Sequence, residues 1–446
     1  MKNSMIQLYS TLSTRKETIS PLLQGKIKLY VCGITPYDNP HIGHGRVFVT
    51  FDLMYRLLKI IGLDVTYCRN FTDIDDKLLK KAEAEFGDQL RYEEIAQRYI
   101  ASFNRDMKAL NLDTPSHEPL VTKTIPEIID FVAQLVEQKK AYAVDGDVYF
   151  RINSFPSYGK LSKQKLDELR AGARVEINDK KEDPLDFALW KGEQEGTFWK
   201  SPWGYGRPGW HIECSAMALK YLGEQIDIHG GGADLIFPHH ENEIAQTESL
   251  TRKPFSTIWS HCAFVRVNNE KMSKSLGNFF TLNDIFQQFD PMVIRYYYAI
   301  HHYRTPLDFS FDDIQAAQKA YQKICLFFAQ AEVKKNSPLD LENQTLKKML
   351  TFLYDDLNTP GMFGVLFTFM QSKPTADEKA IIKQFLVNGL GLTLEPIPEK
   401  TIEITPEIQK LLDEREKARQ EKNWKRADEL RATLTAMGVE LQDKKS

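Results

Sequence analysis

Lys26 to Gly33 (KIKLYVCG) is an apolar, β-branched run that ends on a glycine, and it reads as a buried strand. The loop ITPYD then leads to Asn39 and Pro40, by type an N-cap and a first helical residue. From there Val47, Phe48, Phe51, Met54, Tyr55, Leu58 and Ile61 recur every three or four residues until Gly62, a C-terminal stop. Asp64 to Phe71 (DVTYCRNF) reads as a second strand. Two strands joined by one helix at this spacing close as a right-handed parallel βαβ unit. That unit commits the chain to an α/β fold and places ligands at the carboxyl ends of its strands, beside the loop before Asn39.

The rest of the chain is arranged around that unit. Near residue 120 the texture changes: Thr124 and Glu127 have capping-box spacing ahead of an amphipathic helix carrying Ile128, Ile129, Val132, Leu135 and Val136. A polar stretch rich in Lys, Gly and Trp follows, and α/β patterning resumes with WHIECSAMAL and QIDIHGGGADLIFPHHENEIAQ. After residue 313 the pattern is helical, and LTLEPIPEKTIEITPE reads as a linker. A helical hairpin follows, with Leu411, Leu412 and Ala418 on one arm and Trp424, Ala427, Leu430 and Leu434 on the other. The expected architecture is a doubly wound, parallel-sheet, Rossmann-like domain (1–120 and 206–265) split by an insertion (121–205). A loop-bearing region (266–312), a helical bundle (313–395) and a small C-terminal domain (396–446) complete it.

Lys plus Arg number 58 and Asp plus Glu 61, a net charge of −3. That excludes a globally basic nucleic-acid coat, though not a local basic face. The five cysteines are odd in number and dispersed, which points to a reducing compartment. No apolar run reaches the roughly 18 residues that span a bilayer, and the first residues lack a signal-peptide core. A soluble, cytoplasmic chain is expected.

Six of the ten histidines fall in two windows: His41 and His44, then His211, His229, His239 and His240. A lone histidine is more often structural than catalytic, but clustering beside glycines changes that. His41 and His44 sit three apart where a helix starts, so both rings face one way over a terminus with unpaired N–H groups. That is an anion site, to which two imidazoles add donors for phosphate oxygens. Gly43 between them lets a base or ribose approach the backbone. Far downstream, KMSKS (Lys271 to Ser275) is a polar loop whose two lysines can clamp a polyphosphate and neutralise charge that develops when it is attacked. A third group joins distant segments: Cys32 ends the first strand, Cys214 lies in WHIECSAM, and His239 and Glu243 lie in PHHENE. With Pro238 opening a helix, His239 and Glu243 project one turn apart from one face. Two thiolates, an imidazole and a carboxylate suit Zn²⁺.

His-Ile-Gly-His followed by Lys-Met-Ser-Lys-Ser, in this order, resembles the class I aminoacyl-tRNA synthetases. YVCGITPYD, HIGHGR, TDIDDK, RPGWHIECSAM, DIHGGGADLIFPHHENEIAQ and KMSKSLGN together resemble the cysteinyl-tRNA synthetase family within that class. By that resemblance Cys32, Cys214, His239 and Glu243 hold one Zn²⁺. His41 and His44 contact ATP phosphates, and Lys271 and Lys274 belong to a mobile catalytic loop in which Lys274 stabilises the transition state. Thr72, Trp210, His229 and Asp234 line the pocket for the substrate's amino and carboxylate groups. Gly230, Gly231 and Gly232 give the nucleotide a close backbone approach. The implied activity is ATP-dependent ligation of L-cysteine to the 3′ end of tRNA(Cys) through a cysteinyl adenylate, with Mg²⁺ accompanying ATP. The C-terminal domain is expected to bind the anticodon, and the chain to act as a monomer without a membrane partner.

Zinc accounts for the selectivity. Serine is nearly isosteric with cysteine, so shape alone separates them by only about 1–3 kcal/mol. A sulfur-seeking ion binds the cysteine thiolate, whose pKa of about 8.5 makes deprotonation easy, and no editing domain is needed. Two thiolates and a carboxylate sum to −3 against +2, so Glu243 is the ligand expected to be long and to yield when substrate arrives. In the hairpin, Arg415, Lys417, Arg419, Lys422, Lys425 and Arg426 surround Trp424, against Glu416 and Glu421. That composition suits stacking on unpaired anticodon bases. Two rivals are a related ligase that joins activated cysteine to an amino sugar and a non-catalytic, zinc-containing RNA-binding relative. The basic hairpin favours tRNA over the first, and intact His41, His44, Lys271 and Lys274 oppose the second.

Overall fold

The computed structural model describes residues 6–166, 168, 179–267, 270–271, 279–333, 338–397, 406–421 and 423–436. The chain divides into two compact units, Met1–Glu395 and Pro396–Ser446. In the first, a parallel sheet is built from β1 (Lys26–Ile34), β2 (Asp64–Phe71), β3 (Ile226–Gly232) and β4 (Ser256–Cys262), in the order β4-β3-β1-β2. β1 pairs with β2 from Lys26↔Asp64 to Val31↔Arg69, and α1 (Ile42–Ile60) joins them. β3 lies on the other side of β1, with Ile228 opposite Leu29. The connections from β1 and β3 therefore leave in opposite directions, and the carboxyl ends of these two strands open the crevice where α/β sheets bind ligands.

The start of α1 differs from expectation. The helix begins at Ile42 rather than Pro40, because His41 itself is the cap. Its Nδ1 accepts from the N–H groups of Gly43 (3.1 Å) and His44 (3.3 Å), while His44 Nδ1 accepts from His41 N–H at 3.3 Å. Nor is α1 apolar along one stripe only. Phe48, Val49, Phe51, Leu53, Met54, Leu57 and Leu58 are all buried, since the sheet lies on one side and the helices Pro291–Ala299 and Ala376–Leu390 on the other. The polar residues on that second side are matched: Asp52 accepts from Arg56 Nε at 2.8 Å and from Arg295, whose guanidinium also donates to the carbonyls of Leu390 and Leu110.

Between the halves of the parallel sheet, five strands between Ala141 and Pro208 form a separate antiparallel sheet. The helix ahead of it, Ile125–Glu137, buries Ile128, Val132 and Leu135 as its spacing predicts. The capping box does not form, because Thr124 Oγ1 donates back to Leu120 O at 3.0 Å. Beyond residue 310 four helices (Phe311–Phe328, Gln344–Tyr354, Thr359–Gln371, Ala376–Leu390) bury Tyr321, Phe328, Leu350, Leu366 and Phe385. The second unit contains the helices Pro406–Gln420 and Trp424–Ala436. Ala418, Ala427, Leu430 and Leu434 are buried there, Trp424 is 60% exposed, and Arg415 is buried and so is no part of an exposed basic face. Lys422 lies outside the described residues. No described helix is long and apolar enough to cross a membrane.

Candidate active site

Cys32 stands near the carboxyl end of β1, where the register slips: Val31↔Arg69 is followed by Ile34↔Phe71, so Cys32 and Gly33 together face Asn70. Such a bulge re-aims a side chain. Cys32 Sγ lies 3.7 Å from Cys214 Sγ on α2 (Trp210–Leu222) and 3.4 Å from Glu243 Oε1 on α3 (Glu241–Thr251). His239 Nε2 lies 3.1 Å from the same carboxylate oxygen. The four ligand atoms all lie within 4.8 Å of one another, and all four residues are buried. As expected, a helix opens at Pro238: Phe237 before it is extended, and the helical backbone after it runs through His240 directly into α3. His239 and Glu243, one turn apart, therefore meet on one face.

Behind this set stands a layer of rings. His229 Nε2 is 2.9 Å from Glu243 Oε2, and the ring stacks on Trp259 at 4.4 Å. His240 places Nε2 at 3.3 Å from Cys32 Sγ and Nδ1 at 2.8 Å from His261 Nε2. On the opposite side His211 Nδ1 lies 3.0 Å from His239 Nδ1. Cys32, His229, His240 and Glu243 thus make a second, overlapping set of potential ligands.

The charges interlock. Burial would raise the Glu243 carboxyl, but His229 and His239 hold it well below the usual carboxylate range. Burial would lower the His239 imidazolium, but Glu243 reverses this and raises it to about 10. Burial, with Cys214 and Glu243, pushes the Cys32 thiol well up. Cys214, which burial alone would also raise, is drawn down to about 6 by hydrogen bonding with Cys32 and His239. A divalent cation in this donor set would replace the protons of Cys32 and His239.

A cavity of about 390 Å³ is lined by Cys32, Cys214 and His239, by Thr72, Trp210, Asp234 and Gly232, and by His41, Gly43 and His44. The Trp210 ring lies 4.3 Å from that of His239, and Thr72 Oγ1 donates to Glu213 Oε2 at 2.9 Å. The rings of His41 and His44 stack at 3.7 Å. Burial, then His41 and Lys77 nearby, pushes His44 well below the ordinary histidine range, so its ring is neutral. Several predicted residues do not reach this cavity wall. Glu243 and His229 are fully buried behind it. Gly230 and Gly231 are glycines for packing: a Cβ at 230 would stand 2.2 Å from the Phe51 ring, and one at 231 would stand 3.0 Å from His240. Gly232 alone of the three lines the cavity.

Lys274 and the side chain of Lys271 lie outside the described residues. The flank that follows their loop is placed: Ile42 N–H donates to Phe280 O (3.2 Å), Leu282 N–H to Pro40 O (2.8 Å), and Phe279 sets its ring edge on His41. Arg46, two residues after His44, donates to the carbonyls of Ala263 (3.1 Å) and Phe264 (2.9 Å) on the opposite wall. Sequence reasoning missed Arg46, Asn70, Lys77 and His261. Lys77 stood in the TDIDDK motif and Arg46 in HIGHGR, and both could have been found there; Asn70 and His261 act through tertiary contacts that leave no local pattern.

Comparison with known proteins sets these features in context. Residues 18–319 match the family model of the tRNA synthetases class I (C) catalytic domain, and 401–446 match that of the cysteinyl-tRNA ligase anticodon binding domain. The chain is 44% identical over 478 residues to a cysteine–tRNA ligase of Geobacter metallireducens, covering 98% of each. It is 44% identical over 462 residues to that of Geobacillus thermodenitrificans, covering 99% of this chain and 97% of the relative. Among solved structures, a LeuRS–tRNA–LeuAMS ternary complex from Agrobacterium radiobacter K84 superposes with a TM-score of 0.58 at 12% identity, over 83% of this chain and 84% of that one. A Mycobacterium tuberculosis methionyl-tRNA synthetase with methionyl-adenylate gives 0.54 at 13% identity, over 82% and 88%. Identities this low speak to the fold, a doubly wound α/β architecture.

Proposed function

Because the chain belongs to the class I (C) tRNA synthetase family, among the cysteine–tRNA ligases, we propose how its side chains divide the ATP-dependent ligation of cysteine to tRNA. The cysteine carboxylate attacks the α-phosphate of ATP and pyrophosphate leaves; a ribose hydroxyl at the tRNA 3′ end then attacks the carbonyl of the cysteinyl adenylate, takes the cysteinyl group and releases AMP. No protein nucleophile is required; alignment and charge neutralisation carry the barrier.

Cys32, Cys214, His239 and Glu243 are assigned to one zinc ion, with which two sulfurs, one imidazole and one carboxylate in mutual reach are chemically matched. The ion supplies an acceptor that prefers the thiol of cysteine to the hydroxyl of serine. This set is chosen over Cys32, His229, His240 and Glu243 because Cys32, Cys214 and His239 line the cavity, whereas His229 and His240 do not. His211 orients His239 through Nδ1, leaving Nε2 toward the cluster, and His229 holds Glu243 from behind. Thr72, Trp210 and Asp234 are assigned to the substrate's amino and carboxylate groups, with His229 supporting them from the buried layer. His41, His44 and Gly232 are assigned to ATP, which brings Mg²⁺ with it, and Lys271 and Lys274 to neutralising the phosphates. The reading takes 1–120 and 206–265 as catalytic domain and 396–446 as the tRNA-anticodon domain. It includes a cytoplasmic setting, supported by five free cysteines, and a monomer.

The observation that carries this reading is that three ligands of the cluster, Cys32, Cys214 and His239, and the His-Ile-Gly-His helix start line one cavity. The match of 401–446 to an anticodon binding domain favours tRNA over an amino sugar as acceptor. Metal content, cysteine-dependent ATP–pyrophosphate exchange and charging of transcript tRNA, measured on one sample, test it. About one zinc per chain is expected, with exchange driven by cysteine and not serine. Metal-free material that still rejects serine overturns the zinc assignment.

A further inference from the structure

One side-chain oxygen links Cys214 to the backbone beside Cys32. Asn70, on β2, is buried, and its Oδ1 accepts from Gly33 N–H at 2.9 Å and from Tyr30 Oη–H at 3.2 Å. The same oxygen faces Cys214 Sγ at 3.6 Å, and Nδ2 donates to Thr72 Oγ1 at 3.4 Å. Gly33 belongs to the bulge, in which Cys32 and Gly33 share Asn70 as their partner on the neighbouring strand. A bulged residue loses its ladder partner, and a buried N–H without an acceptor is costly. The Asn70 side chain supplies that acceptor. The fit is reciprocal: a Cβ at position 33 would stand 1.6 Å from Asn70 O, so this approach requires glycine.

We propose that Asn70 is a positioning residue for the metal cluster. Its carboxamide oxygen locks the Cys32–Gly33 bulge and so aims the Cys32 sulfur at Cys214, His239 and Glu243. Its Nδ2 ties the same bulge to Thr72 on the cavity wall. Metal-ligand geometry and the substrate wall are thereby set by one side chain. The proposal rests on the assignment of the cluster to zinc.

The test uses the full chain, unaltered and as Asn70→Ala and Asn70→Asp, stripped of metal and reloaded. Zinc affinity is read by competition with a chromogenic chelator, and the number of bound thiolates by charge-transfer absorbance after loading with Co²⁺. Asn70→Ala is expected to bind zinc about 10- to 100-fold more weakly, in the range of lost outer-shell partners, and to lose roughly half the thiolate absorbance per bound Co²⁺. Asn70→Asp keeps an oxygen against Gly33 N–H and is expected to stay within about three-fold, with full absorbance. Unchanged affinity and absorbance in Asn70→Ala overturn the proposal, as does an Asn70→Asp variant that loses both. Should Asn70→Ala not fold, Asn70→Asp decides alone by the same criteria. If the unaltered chain binds no zinc, it is the zinc assignment that fails.

Discussion

The protons held by Cys32 and His239 make the affinity of the cluster for a cation depend on pH. Burial, with Cys214 and Glu243, keeps the Cys32 thiol protonated, and Glu243 raises His239 to about 10 against its burial. Both protons must leave before sulfur and ring nitrogen can bind an ion. Zinc affinity therefore rises with pH through the neutral range, and loading at pH 7 releases about two protons. Calorimetry in buffers of different ionisation enthalpy counts them; a count of zero contradicts the assigned ligands. Lys274 is assigned to a different part of the chemistry, the charge that develops on the phosphates. Lys274→Ala is expected to slow cysteine-dependent pyrophosphate exchange by about 10²- to 10³-fold, typical of losing one preorganised electrostatic partner. Cysteine binding at equilibrium stays nearly intact, and an equal loss of both assigns the lysine to substrate binding instead.

Among the elements, β3 shows how a glycine run divides between packing and ligand. Gly230 faces Phe51 of α1, with no room for a methyl group, while Gly232 faces the cavity. Gly230→Ala is expected to cost about 1–3 kcal/mol, the usual penalty of overpacking, and Phe51→Leu to restore part of it. Denaturant melts of the single and double variants measure this, and the KM for ATP stays near its original value. A variant of normal stability with a raised KM returns Gly230 to the nucleotide. The strand β1 was legible because a buried parallel strand reads as a near-continuous apolar run, and β2 because β-branched and aromatic residues recur in it. Cys32, Cys214, His239 and Glu243 were legible because strand ends and one-turn helical spacing can be read from local pattern. The burial of His229, the role of Asn70 and the failed cap at Thr124 were not. Each is decided by a partner distant in sequence or by a competing backbone acceptor, as Leu120 O is for Thr124.

In the molecule as a whole, chemistry and tRNA discrimination are assigned to different compact units. Every described residue of the cavity wall falls between Cys32 and Phe279, inside Met1–Glu395, whereas the anticodon-domain match covers 401–446. The net charge of −3 is no obstacle to RNA binding, because recognition of unpaired bases needs a stacking surface and a few local cations rather than a basic chain. Trp424 offers such a surface: it is 60% exposed at the start of its helix, with Lys425 and Arg426 next to it. Arg426 is partly engaged by Glu414 and Glu429 at 3.4 Å, which leaves the ring as the stronger candidate contact. Stacking of one base on an aromatic ring contributes about 1–3 kcal/mol. Trp424→Ala is therefore expected to raise the KM for tRNA in aminoacylation by roughly 5- to 150-fold. Pyrophosphate exchange, which needs only cysteine and ATP, proceeds at its original rate. A variant that charges tRNA with an unchanged KM makes Trp424 a surface residue without a base to hold, and a variant that loses exchange ties this helix to the catalytic unit.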